Sequence, residues 1–233
     1  MKTFTKTLAA AGLAACAIAT AMPASAQVSG KVATSSVSRA LLNTTALQAA
    51  FNQVGTTYKA QLDTAQAKQT ELSAILKPFD LNSNGSIDAA EKPALEAAPN
   101  YVQVQTLQAE IDAIEQQVNA AQVYAVDQVL SQYNPAVTEV AQAQQIVMVV
   151  DPGSIQFAGE GADITALVTT SLNTKVPSVG IVPPANWRPR QESIQVYQDI
   201  QRRILLQQIA LQRQQQAAQQ QQPQGNAQAP AGR

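Results

Sequence analysis

The residues with the most specific chemistry in this chain run from Asp80 to Glu91: Asp80-Leu81-Asn82-Ser83-Asn84-Gly85-Ser86-Ile87-Asp88-Ala89-Ala90-Glu91. Oxygen donors fall at alternate places, as a hard divalent cation requires of a loop that wraps around it. They are the side chains of Asp80, Asn82 and Asn84, the carbonyl of Ser86, Asp88 (often through a water) and Glu91, which would bind with both oxygens. Gly85 sits where such a loop turns sharply and Ile87 where an apolar anchor points inward. This is the ligand pattern of a calcium-binding EF-hand loop. Three carboxylates and no second hand predict weak binding, on the order of 10⁻⁴ to 10⁻³ M. The simpler reading is an Asn/Gly/Asp turn joining two helices, with Asp88 capping the second. Pro93 and Pro99 count against a clean exiting helix.

Most other chemistry is excluded by what is missing. The chain has no histidine and a single cysteine, Cys16. That removes the usual general base, the Ser-His and Cys-His nucleophile pairs, histidine zinc sites and any disulfide framework. No nucleotide site is visible. Carboxylate-only catalysis would need a pocket-forming domain, and none is evident. The sequence therefore reads as a binding protein and not an enzyme.

The N-terminus carries an export signal. Lys2 and Lys6 precede an apolar stretch from Leu8 to Met22, and Ala24-Ser25-Ala26 has the small-x-small pattern of a cleavage site. Residues 1–26 are read as a signal peptide and Gln27 as the mature N-terminus. A lipoprotein box ending at Cys16 is the alternative. No later apolar run reaches the roughly 20 residues needed to span a bilayer, so no stable membrane insertion is expected.

The elements that must position the loop follow from periodicity. Thr44 or Thr45 caps a helix carrying Leu47, Phe51, Val54 and Tyr58 at spacings of 3 and 4. Val104, Leu107, Ile111, Ile114, Val118, Ala121 and Ala125 form a second such stripe, a packing seam of about three heptads. Residues 44–141 thus read as an antiparallel helical hairpin with the Asp80–Glu91 loop at its tip. Its helices would be roughly 50 and 60 Å long at 1.5 Å per residue. Val32–Val37, Gln145–Val150 and Ser154–Phe157 read as short strands, with a helix over Ile164–Thr174 that Asp163 caps. Residues 27–43 and 142–176 would form a β-containing base. Such short strands cannot close a core alone, so oligomerisation is expected. The Pro-rich stretch 177–192 reads as a stiff linker, although Trp187 with Arg188 and Arg190 could bind a carboxylate or a membrane surface. Residues 193–233 read as a helix to Leu211 followed by a Gln-rich disordered tail.

Charge is uneven. The whole chain is at −1. Between Thr44 and Gln145, four lysines face eleven acids, a net of −7; from Ile181 onward, six arginines face two acids, a net of +4. An acidic middle argues against nucleic acid and suggests that the basic end meets an acidic surface, including the chain's own middle.

The order of strand, long helical hairpin, strand pair and short helix resembles the OmpH/Skp-like periplasmic chaperones. The most specific match is Gln145-Ile-Val-Met-Val-Val-Asp-Pro-Gly-Ser-Ile-Gln-Phe-Ala together with Ala162-Asp163-Ile164-Thr165. The resemblance covers about residues 30–176. It implies a mainly α fold with a small β base that trimerises into a β-barrel, and three helical arms enclosing a cavity for unfolded outer-membrane proteins. The best-known members have basic arms; here the arms are acidic, and the chain beyond about 180 has no counterpart in the short members. The resulting expectation is an ATP-independent periplasmic holdase acting as a homotrimer. The rival is a calcium-dependent structural or adaptor protein of the envelope that binds one folded partner.

Overall fold

The computed structural model describes residues 30–220; the expected leader with Cys16 and the last part of the tail, 221–233, lie outside them. The chain starts as strand β1 (Lys31–Thr34), turns through α1 (Val37–Leu42), and climbs as α2 (Thr45–Thr57) and α3 (Lys59–Leu76). After the tip loop and a short α4 (Lys92–Glu96), α5 (Tyr101–Leu130) and α6 (Tyr133–Gln144) return it to strand β2 (Ile146–Val150). Helix α7 (Thr165–Lys175) completes the base, and α8 (Gln191–Gln220) follows.

Local sequence explains most of these boundaries. Thr44 caps α2, its hydroxyl accepting from the Leu47 N–H at 3.4 Å and donating to the Leu41 carbonyl at 2.7 Å. Pro135 cannot donate to the carbonyl of Ser131 and crowds it, so α5 ends at Leu130 and a new helix starts. Gln145 stops α6 in the left-handed conformation (φ 57°), turning the chain into β2. The weakest helix formers of the first arm segment, Gly55, Thr56 and Thr57, come just before Tyr58, where α2 and α3 are interrupted (φ −97°, ψ 12°).

The two strands pair in parallel, Val32 opposite Met148 and Thr34 opposite Val150, with the arm as their crossover. Among the described residues, the other edge of β1 makes one bridge, where Thr34 N–H donates to Ala162 and Ile164 N–H donates to Thr34. Gly30 admits this pairing closely: a Cβ there would lie 2.3 Å from a Val147 methyl.

The expected strand over Ser154–Phe157 is not formed in the single chain. Pro152–Ser154 is a 3₁₀ turn, with the Asp151 carboxylate accepting from Gly153 N–H, and the chain stays irregular to Ile164. A strand needs a paired edge, and none of the described residues offers one to this segment. The expected first strand is also shorter, since Val37 already opens α1. The C-terminal helix runs to Gln220, beyond the expected Leu211, because Gln and Ala propagate a helix well once its first turns are fixed.

The core is one large cluster at the base and the lower arm. Leu41, Leu47, Val126, Val129, Val168, Leu172 and Ile200 are almost fully buried in it. Around it the base is tied by polar contacts: Arg39 pairs with Asp163, whose carboxylate accepts from Thr165 N–H at 2.9 Å, and Asn173 accepts from Thr45 N–H at 2.9 Å. The expected cap at Asp163 is displaced: Ile164 is the N-cap of α7 and Asp163 precedes it, its carboxylate accepting from Thr165 N–H. Partial burial would raise its carboxyl, but these bonds together with Arg39 outweigh it and hold it below the ordinary range. The outer arm has only a small second cluster, Leu72, Leu107 and Ile111.

This division predicts unequal costs of truncation. Leu41→Ala, in the fully buried base, is expected to destabilise by about 2–5 kcal/mol. Leu62→Ala, on the half-exposed arm surface, is expected to stay within about 0.5 kcal/mol. Urea unfolding followed by circular dichroism measures both; equal costs would contradict the assignment of the core.

Candidate functional site: the arm, its tip and the open sheet

All six predicted calcium ligands lie in the tip loop, and the side chains of Asp80, Asn82, Asn84, Asp88 and Glu91 are already in use. Asp80 accepts from Asn84 N–H at 3.0 Å with one oxygen and from Gly85 N–H at 2.8 Å with the other. Asn82 Oδ1 also accepts from Asn84 N–H, and Asn84 Oδ1 accepts from Ser86 N–H. Asp88 caps the next turn by accepting from Ala90 and Glu91 N–H, and its second oxygen receives the Asn82 amide at 2.9 Å. Gly85 takes positive φ (82°), as the motif anticipates; Ser83 does so too (φ 59°), which no turn residue in the sequence signals.

Glu91 is the centre of this arrangement. It is nearly buried, at 4% exposure. One carboxylate oxygen accepts from Leu81 N–H at 2.8 Å and Asn82 N–H at 3.2 Å, and the other from Asp88 N–H at 3.1 Å. The side chain thus clasps the two ends of the loop through backbone donors. Among the described residues no three acidic groups surround a common point where an ion would sit. Asp80, Asp88 and the amides keep spare lone pairs for a cation. Bidentate ligation by Glu91 would first require it to leave Leu81 and Asn82.

Below the tip, the arm is held by its seam. Every residue of the predicted stripe from Val104 to Ala125 is buried or half-buried against the first arm segment. Lys68 pairs with Glu110 at 2.7 Å across it. The arm's outer flanks carry Gln, Ala and scattered charge, with Leu62, Leu81 and Val102 the large apolar residues exposed there. Among the described residues no helix is long and apolar enough to cross a membrane.

At the base the sheet is open. Val147 and Met148, on opposite faces of β2, are about half exposed (52% and 46%), so each face stays partly open although Ala33, Ile146 and Val149 pack against the core. Val32 and Leu167 border a cavity of about 570 Å³ alongside β1. Phe157 stands 87% exposed in the segment expected to be a strand.

The residues after 176, read as a linker, are instead packed on α5. Ile181 is buried, Gly180 exchanges hydrogen bonds with the Gln128 amide, and Trp187 meets the Tyr124 ring edge-on at 5.2 Å. Arg190 binds a carboxylate, that of Asp127, at 2.7 Å, and Ser193 donates to the same oxygen at 2.5 Å. Burial pushes the Asp127 carboxyl up, but these bonds and the Arg190 charge outweigh it and hold it below the ordinary value. The sequence signal was the apolar and basic spacing of Ile181, Trp187 and Arg190 within the prolines.

The family of OmpH, described as outer membrane protein (OmpH-like), matches residues 31–172, more than half of the chain. No curated protein matches it. Among solved structures, a candidate outer membrane chaperone (OmpH-like) from Caulobacter crescentus CB15 is 21% identical, with 69% of this chain and 91% of that one covered at a TM-score of 0.42. The match from the first strand through the helix after the arm places the chain in the OmpH-like family of outer membrane proteins.

Proposed function

We propose that this chain is a periplasmic, ATP-independent holdase-type chaperone. In this reading three copies join through their bases, and their arms enclose a cavity that keeps unfolded outer-membrane proteins from aggregating. Membership of the OmpH-like family supports the reading. The structural observation that carries it is the pairing of an incomplete sheet with a long arm. Two short strands with Val147 and Met148 half exposed are marginal in water, and further strands from other copies would cover them. Phe157 and its neighbours would then find the edge they lack in one chain. The arm projects a polar, Gln-rich surface, suited to weak, numerous and sequence-tolerant contacts with an unfolded chain. A holdase needs nothing more, since binding the unfolded state preferentially is enough to withdraw it from aggregation.

The tip loop supports an additional reading, in which it binds calcium weakly and orders the mouth of the cavity. The observation behind it is the presence of Asp80, Asn82, Asn84, Ser86, Asp88 and Glu91 in one loop. The rival function, a calcium-dependent adaptor of the envelope, would use these tips on one folded partner. A pull-down separates the two: many unfolded barrels favour the holdase, one stoichiometric folded protein the adaptor.

Three outcomes are expected. Diluting a urea-unfolded β-barrel protein into a several-fold excess of this chain should suppress light scattering; unchanged scattering would sink the holdase reading. Val147→Asp should dissociate the assembly in sedimentation while leaving the single chain folded, because the residue is exposed in one chain and would be buried in a shared sheet. An intact oligomer in that variant would place the interface elsewhere. Calorimetry with calcium should show heat in the millimolar range that Glu91→Gln abolishes; featureless traces for both up to about 10 mM, past the weakest class of such loops, would leave the motif a helix-joining turn.

A further inference from the structure

Residues 177–204 lie outside the part of the chain that matches the family, yet they make several side-chain contacts with α5. Arg190 and Ser193 grip Asp127 of α5. One helical stretch further, the Tyr197 hydroxyl lies 2.5 Å from the Gln122 side chain and 3.0 Å from that of Asn119. Ile200 is fully buried, and Arg203 then donates to the hydroxyls of Ser38 at 2.8 Å and Ser36 at 3.3 Å, at the start of α1 in the base. One segment therefore holds the arm and the base together.

The place where it holds the arm is informative. The first arm segment has one interruption, at Tyr58, after the poor helix formers Gly55, Thr56 and Thr57. The arm helices run antiparallel, with Lys68 paired to Glu110. Moving ten residues toward the base from each partner reaches Tyr58 on one helix and Ala120 on the other. The interruption thus lies level with Asn119 and Gln122, the residues against which Tyr197 packs. The large core reaches just past this level, to Val118 and the partly buried Ile114, and toward the tip it gives way to the small second cluster. A helical pair that is broken on one strand and thin above the break bends there unless its unbroken partner is stiffened.

We propose that residues 177–204 are a splint: they fasten the unbroken helix α5 to the base across the level of the Tyr58 interruption and hold the arm at a fixed angle. In the trimeric chaperone reading, on which this consequence alone rests, the splint sets how far the arms open around a client. Docking of α8 and opening of the arm are then coupled, since a state in which the arm swings outward must strain or release the contacts at Asp127 and Gln122.

Single-molecule energy transfer between dyes at the tip and the base tests this without any client. The dyes go on Ala89→Cys and Thr174→Cys, both exposed positions, in a Cys16→Ser background, with labelled chains diluted into unlabelled ones. The native chain should give one narrow distribution. Ile200→Asp, which puts a charge at a fully buried position, should release α8 and broaden the distribution about twofold, with hydrogen exchange rising over 193–204. Should that variant fail to fold, Arg190→Ala with Tyr197→Phe removes the grip on the arm and leaves the core intact, and the same broadening is expected. A released α8 with an unchanged distribution overturns the splint, and so does an α8 that stays protected in Ile200→Asp. A working splint in a chain that does not suppress aggregation would overturn the chaperone reading alone.

Discussion

The rest of the structure depends on a two-stranded sheet that stays open in the single chain. Strands of four and five residues, paired in parallel, bury too little surface and leave too many backbone groups unpaired to stand alone in water. The large cluster built from α1, α2, α5, α6 and α7 supports the sheet from one side, with Ala33 and Ile164 packed into it. It leaves Val147, Met148 and Val32 to solvent. In the proposed trimer these exposed positions become the shared barrel. Because the two strands are parallel, the chain leaves the sheet at the C-terminal end of β1 and re-enters at the opposite end, at the start of β2, with the arm and its flanking helices as the crossover.

Everything beyond the base is stabilised by proximity to it. Burial falls steeply along the arm, from fully enclosed Leu47 and Val129 to the three buried residues around Ile111. In the proposed chaperone, a thin seam suits an arm that accommodates clients of different size, because few contacts have to rearrange when it bends. The C-terminal addition counteracts this locally by widening the lower arm from two helices to three, with Ile200 and Ile181 joining the core. The opposite charges noted in the sequence meet here: Arg190, from the basic end, is paired with Asp127, from the acidic middle.

Legibility in the sequence followed the range of the interactions. The stripe from Val104 to Ala125, the Thr44 cap and the apolar run Ile146–Val150 are local patterns, and each holds in the structure. Ser154–Phe157 alternates like a strand, but strand formation requires an edge elsewhere, and sequence alternation carries no information about one. The prolines between 177 and 189 read as a stiff linker, whereas proline fixes φ without preventing packing, and Ile181 and Trp187 supply the anchoring surface. At the tip, residue identities were readable and their present partners were not. The turn chemistry that suits a cation also suits backbone N–H groups, and Glu91 clasps the loop through the same oxygens the motif assigns to an ion.

The account stands most directly on how many chains surround one client. A native mass measurement of the full chain mixed with one unfolded outer-membrane barrel addresses this in a single experiment. The account predicts a complex of three chains with one client, and three chains when the client is left out. A chain that is monomeric under both conditions would contradict it, because an open sheet with no partner and an arm with no neighbours enclose nothing.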